Sequence, residues 1–255
     1  MTIHWTAVYV LWRREMIRFV RAKSRIIGSL AMPVFFLAFL GLGFRRMPVP
    51  GMGGGTGYIG FLAPGIIGMT LLFSSSMQGM SVLWDKEFGF LKEIMVAPVS
   101  RVSLVLGRNA GGTTTSMLQG LLIFGASLVL GFRLPGAGAL AFGLVFMLLI
   151  AFTFIGLGLV FASRMKDMQG FSVVMNFIIF PIFFLSGALT PLDNFPWVIR
   201  ALSYADPLTY GVDGLRAVMI GTSMLPAAVD LAVMTGFALI MLFLGTYFFE
   251  RTEGV

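Results

Sequence analysis

Residues 139–162 read ALAFGLVFMLLIAFTFIGLGLVFA. The run holds no charged residue and no proline. As an α-helix it rises about 36 Å, at 1.5 Å per residue. The hydrocarbon core of a bilayer is about 30 Å thick, so the run predicts a membrane-crossing helix.

The pattern repeats on both sides. Six apolar runs of spanning length are predicted, over residues 26–44, 58–83, 109–132, 139–162, 170–189 and 227–249. The fifth contains Pro181, which membrane helices tolerate when neighbours satisfy the freed carbonyl. Composition agrees: 58% of the 255 residues are hydrophobic and 11% are charged, where soluble domains carry about 25% charge. The expected fold is an all-α polytopic membrane protein.

Lysine and arginine set the expected orientation. With the N-terminus inside, the inner segments hold Arg13, Arg14, Arg18, Arg21, Lys23, Arg25, Lys86, Lys92, Arg101, Arg108, Arg164, Lys166 and Arg251. The outer ones hold Arg45, Arg46, Arg133, Arg200 and Arg216. This positive-inside bias puts both termini in the cytoplasm and the chain in the cell membrane. The first 25 residues carry six of these cations and no cleavage site, so they do not read as a signal peptide.

That N-terminal stretch reads instead as an amphipathic helix. Trp5, Val8, Tyr9, Trp12, Met16 and Phe19 share one face; Arg14, Arg18, Arg21 and Arg25 line the opposite one. The expectation is a helix lying in the inner interface, arginines toward lipid headgroups, against the alternative of a solvated helix with a basic face. The domain division is residues 1–25, the interfacial helix, and 26–252, the six-span domain.

Between spans two and three stands WDKEFGFLKEIMVAPVSR, residues 84–101. Trp84, Phe88, Leu91 and Met95 form one apolar stripe; Asp85, Lys86, Lys92 and Glu93 lie around it, and Pro98 ends the helix. The stripe either rests on the membrane surface or fills a partner's groove, with flanking charges setting register.

Residues 190–226 are too apolar for an ordinary loop. Residues 196–202 and 208–218 predict two short helices dipping into the outer leaflet, broken at Asp206–Pro207. Asp213 and Arg216, three apart, are expected to pair there. Polar residues within the spans are few. Thr113, Thr114, Ser116 and Gln119 in span three and Asn176 in span five either serve helix packing or line a pathway.

Several classes lose support. No G-x-x-x-x-G-K-[ST] loop occurs, and none of the four lysines follows a glycine. Asp230 is the only acid in the predicted spans, so ion-driven transport lacks its usual mid-membrane carboxylate. There is no cysteine, and the single histidine, His4, stands near the N-terminus. No catalytic, cofactor-binding or metal-ligating residue is expected on this chain, and nothing suggests nucleic acid as a partner.

The charged stretch resembles the cytoplasmic loop of type-two ATP-binding cassette (ABC) exporter permeases, a family that includes drug, nodulation-factor and polysaccharide exporters. Glu87, Phe88, Gly89, Glu93, Pro98, Val99, Ser100 and Arg101 carry the likeness. A second segment carries it after span five, at Pro181, Ser186, Gly187, Pro191, Pro196, Pro207, Leu208, Thr209, Tyr210, Asp213 and Arg216. The resemblance runs from about residue 10 to 252; residues 45–57, RRMPVPGMGGGTG, do not contribute.

The resemblance implies that residues 84–101 form a coupling helix, with Trp84, Asp85, Glu87, Phe88, Gly89, Leu91, Glu93, Pro98 and Arg101, docking on a separate ATPase subunit that binds ATP and Mg. It also implies two permease copies, identical or different, and re-entrant outer helices. Pro191, Pro196, Pro207, Tyr210, Asp213 and Arg216 are then candidate gate residues. A regulatory or scaffolding membrane protein, docking a partner without moving substrate, is the alternative.

Overall fold

The computed structural model describes residues 4–44, 57–87 and 101–251. Their regular structure is helical: α1 (Trp5–Arg21), α2 (Lys23–Gly43), α3 (Gly57–Ser76), α4 (Gly79–Glu87), α5 (Arg101–Val129), α6 (Ala137–Arg164), α7 (Met168–Leu185), α8 (Trp197–Ser203), α9 (Pro207–Ile220) and α10 (Ala227–Arg251). A 3-10 turn at Leu192–Asn194 precedes α8. Six stretches are long and apolar enough to cross a membrane: Ile26–Gly43, Gly57–Asp85, Val102–Val129, Ala137–Arg164, Met168–Leu185 and Ala227–Gly245. These are the six predicted from sequence.

Helix α3 is the centre of the bundle. It is apolar all round, and such a helix is stable only when surrounded. It is buried without interruption from Ile59 to Leu72, with α2, α5, α6, α7 and α9 packed on it. By contrast α2, α7 and α10 turn large side chains outward, among them Phe35, Phe39, Phe177, Phe184 and Phe243. That surface suits lipid or a second copy.

Two spans depart from their predicted form. Span two is not one helix: it breaks at Met77–Gln78, and α4 resumes at Gly79. The break lies where α4 and α6 meet backbone to backbone. A Cβ on Gly79 would collide with the Gly158 carbonyl, and a Cβ on Gly158 with the Ser76 carbonyl. Span three starts at Arg101, not at residue 109. Arg108, just before the predicted start, is paired with Asp85 within the bundle, which lowers the cost of burying it.

Residues 190–226 form both expected helices. Asp206 caps α9, its carboxylate accepting from the Leu208 N–H, and Pro207 takes the first helical position, where no N–H is needed. Gly221, at φ +71°, ends α9 in the left-handed conformation. Leu208, Val212 and Leu215 are fully buried, so α9 is wedged among α3, α6 and α10. It sits at the end of the bundle opposite α1.

Candidate functional site

At the α1 end, five ionised side chains converge. Asp85, near the end of α4, is 4% exposed. Its Oδ2 lies 2.8 Å from Arg14 Nη2 and 2.6 Å from Arg108 Nη2, and its Oδ1 lies 3.9 Å from Arg18 Nη2. Glu15 Oε1 lies 3.3 Å from the same Arg14 Nη2 and 3.5 Å from Arg18 Nη1. Three guanidinium groups against two carboxylates leave one net positive charge. The cluster ties α1, α4 and α5 together at the base of residues 88–100.

This arrangement corrects two expectations. Asp85 is not a rim charge of an exposed docking helix. It belongs to the bundle, because burial among three guanidinium groups holds a carboxylate that solvent would otherwise take. Arg14 and Arg18 are not directed to lipid headgroups either; they face Asp85 and Glu15. The N-terminal helix is accordingly rolled onto α5. Leu11 and Glu15 are buried, Trp12 Nε1 donates to Thr114 Oγ1 at 3.1 Å, and the His4 N–H donates to Ser103 Oγ at 2.9 Å. Gly107 and Gly111 permit the approach: a Cβ at either would meet Leu11 or Glu15 Cβ at 2.9 or 2.8 Å. The outward face carries Trp5, Tyr9, Val10, Ile17 and Val20, with Arg13 and Arg21 exposed beside them.

Trp84 stays half-exposed on α4. Phe88, Gly89, Leu91, Glu93 and Pro98 lie outside the described residues, as do the side chains of Arg25, Glu87 and Arg101.

Beside the cluster a cavity of about 370 Å³ opens between α1, α2, α3, α5 and α7. Its walls are mainly Met32, Met69, Phe73 and Met77, with a band formed by Gln78, Thr115, Gln119 and Asn176. Gln78 Nε2 donates to Thr115 Oγ1 at 2.9 Å. Of the five pathway candidates, Gln119 and Asn176 line this cavity. Thr114 instead holds Trp12, while Thr113 and Ser116 are buried away from the cavity with unpaired hydroxyls.

At the other end, Asp213 and Arg216 do not form the expected ion pair. Asp213 accepts from the Met224 and Leu225 N–H groups at 2.9–3.0 Å. Arg216 donates to the carbonyls of Gly187 and Ala188 at 2.8 and 3.0 Å and of Phe61 at 3.3 Å, and stacks 3.7 Å from the centroid of the Phe61 ring. The reason is local. Chain ends after α7 and α9 leave buried backbone groups, and these two side chains satisfy them. Pro191 precedes the 3-10 turn, Pro196 caps α8, and Tyr210 donates its hydroxyl to the Tyr204 carbonyl at 2.8 Å. Burial pushes the Asp206 carboxyl up to about 8, only partly offset by its bond from the Leu208 N–H.

Sequence reasoning missed Glu15, Arg108 and Gln78 as site residues. Glu15 had a signal: it is the only acid in the first 25 residues and stands among four arginines. Gly107 and Gly111, four apart, marked the surface on which α1 docks. Among the described residues no group of three or more His, Asp or Glu could hold a metal.

Comparison with known proteins joins these features to a family. Residues 6–220 match the family model described as ABC-2 type transporter. The chain is 28% identical over 253 residues to nodulation protein J of Rhizobium leguminosarum bv. trifolii, covering 98% of this chain and 94% of that one. It is 25% identical over 252 residues to the inner membrane transport permease YadH of Escherichia coli strain K12, covering 97% and 94%. A putative transport permease, ycf38, of Pyropia yezoensis is 30% identical over 213 residues, covering 82% and 72%. With six apolar spans and a match over most of its length, the chain belongs to the ABC-2 type transporter family, as a multi-pass transport permease.

Proposed function

We propose that the chain is the permease subunit of an exporter that moves an amphipathic or hydrophobic substrate outward, powered by ATP hydrolysis on a separate subunit. Drug, lipid and glycolipid or polysaccharide cargo all fit that description. The ATPase docks on residues 88–100 from the cytoplasmic side, where both termini also lie. Two permease copies pair through the outward-turned aromatic surface of α2 and α7, and the substrate passes between them.

The observation that supports this reading most is the 2.6 Å Asp85–Arg108 pair. It joins the helices that enter and leave residues 88–100, and Arg14 adds α1 to the joint. A push on the charged segment is therefore delivered to three helices at once. Two of them, α1 and α5, wall the cavity.

The experiment is reconstitution. Purified alone, the chain hydrolyses no ATP; together with the ABC ATPase that co-purifies from native membranes, it forms a complex whose hydrolysis drives export from liposomes. A stable complex that hydrolyses ATP while exporting none of the lipid, glycolipid and drug probes offered would favour a regulatory role instead.

A further inference from the structure

The export reading leaves open what the cavity accepts, and the charge at its α1 end restricts the answer. The only described ionised side chains that line it are Glu15 and Arg18. Glu15 is the covered member of the pair, its side chain 10% exposed against 37% for Arg18. The cluster behind them is unevenly matched. Asp85 is held by Arg108 at 2.6 Å and by Arg14 at 2.8 Å. Arg18 makes the loosest contacts, 3.5 Å to Glu15 and 3.9 Å to Asp85, where a full charge-assisted bond measures about 2.7–2.9 Å. The surplus positive charge therefore falls on the most accessible of the three arginines, which is the one that lines the cavity. Ala22, also in the lining, stands between the exposed Arg21 and Lys23.

Away from α1 the lining turns apolar. Gln78 borders Glu15 and Arg108 in a small neighbouring void, which places the break in span two at the level of the cluster. From there Met77, Phe73 and Met69 recur one turn apart along α3, over about 12 Å. Thioether and aromatic side chains of this kind adapt to a hydrocarbon chain. Helices α2 and α7 each pack on α3 and hardly on each other, and Met32, on the α2 side of the cavity, is 47% exposed. The cavity thus opens sideways between α2 and α7, and a molecule dissolved in the bilayer reaches it without passing through the ion cluster.

We propose that the cavity binds an amphiphile with an anionic oxyacid head, a phosphate, sulfate or carboxylate, for which Arg18 is the counter-charge and the Met69–Phe73–Met77 wall the seat of the hydrocarbon chain. A planar guanidinium grips such a head through two parallel N–H bonds. A cationic head meets Arg18 as a like charge, and an uncharged head leaves the surplus unmatched. The proposal rests on the export reading and names the substrate class of that transporter.

The test uses the full chain in phosphatidylcholine nanodiscs and three dodecyl probes with a diazirine at the chain end, differing only in a phosphate, glycerol or trimethylammonium head. Cross-links are mapped by peptide mass spectrometry and counted relative to those on residues 34–39, the lipid-facing stretch of α2. The phosphate probe is expected to label residues 69–77 roughly tenfold more than either other probe, the discrimination that one hydrogen bond to a charged group gives. Arg18→Gln removes the preference and Arg18→Lys keeps most of it. Arg13→Gln, which removes an exposed charge outside the cavity, leaves it unchanged. Met32→Trp narrows the cavity without touching the cluster and lowers labelling by the phosphate probe. Unlabelled dodecyl phosphate competes, whereas inorganic phosphate at the same concentration does not. Equal labelling by all three heads, a preference for the glycerol or trimethylammonium head, a preference retained in Arg18→Gln or lost in Arg13→Gln, or equal competition by inorganic phosphate would each overturn the proposal. No ATP or ATPase enters the measurement, so its failure leaves the export reading standing, and a failed reconstitution leaves the binding result standing.

Discussion

Asp85 has three arginines within 4 Å and is almost fully buried. Truncating one member of a buried ion cluster strands the others. Asp85→Ala should therefore destabilise the purified chain by about 3–5 kcal/mol, read as a lowered thermal midpoint in detergent; an unchanged midpoint would mean that the cluster contributes nothing to the fold. Asp206 predicts the opposite behaviour. Its folded value of about 8 lies above its ordinary 3.8, so between those pH values the folded chain holds a proton that the unfolded chain releases. Stability should fall as pH rises through that window, and Asp206→Asn, which keeps the cap, should flatten the fall. Equal slopes in the two proteins would refute the assignment. At this scale the sequence showed which letters were unusual and not what they met. Gln119 and Asn176 stood out as amides in apolar runs, but Asp85 finds Arg14 across 71 residues, and no local periodicity encodes that pairing.

Among the elements, the six spans were legible because a bilayer imposes length and apolarity on each helix separately. The two short helices of residues 190–226 were legible from their punctuation, Pro196 and Asp206–Pro207; the left-handed Gly221 that ends the second was not read. The break in span two was not, since Met77–Gln78 lies in an apolar helical pattern and the break depends on how closely α6 approaches. Gly158→Leu should disrupt that approach, because the added side chain meets the Ser76 backbone, which cannot rotate away. Overpacking of this kind costs about 1–3 kcal/mol or more, and the measurement is again the thermal midpoint. The rolled orientation of α1 was equally hidden, as spacing tells which residues share a face and not which face meets protein. The native chain has no cysteine, so single cysteines report cleanly. One at Val20, 64% exposed, should react with a membrane-soluble maleimide, and one at Leu11, 7% exposed, should not. Reversed labelling would put the other face of α1 against α5.

Across the whole molecule, the ion cluster and the cavity share Glu15 and Arg18 at one end of the bundle, and the wedged α9 packs on α3, α6 and α10 away from them. Family membership accounts for the spans and the permease role; the proposed export reading has an ATPase dock at residues 88–100. The most direct measurement is the affinity of the ABC ATPase for the membrane-inserted permease with and without Phe88→Ala. A buried aromatic anchor contributes about 2 kcal/mol or more to an interface, so the dissociation constant should rise roughly thirtyfold, with export falling alongside it. The control is Gly53→Leu, in the glycine-rich segment assigned to the other side of the membrane, which should bind as the native chain does. Native affinity and native export in Phe88→Ala, with binding lost in Gly53→Leu, would contradict the account.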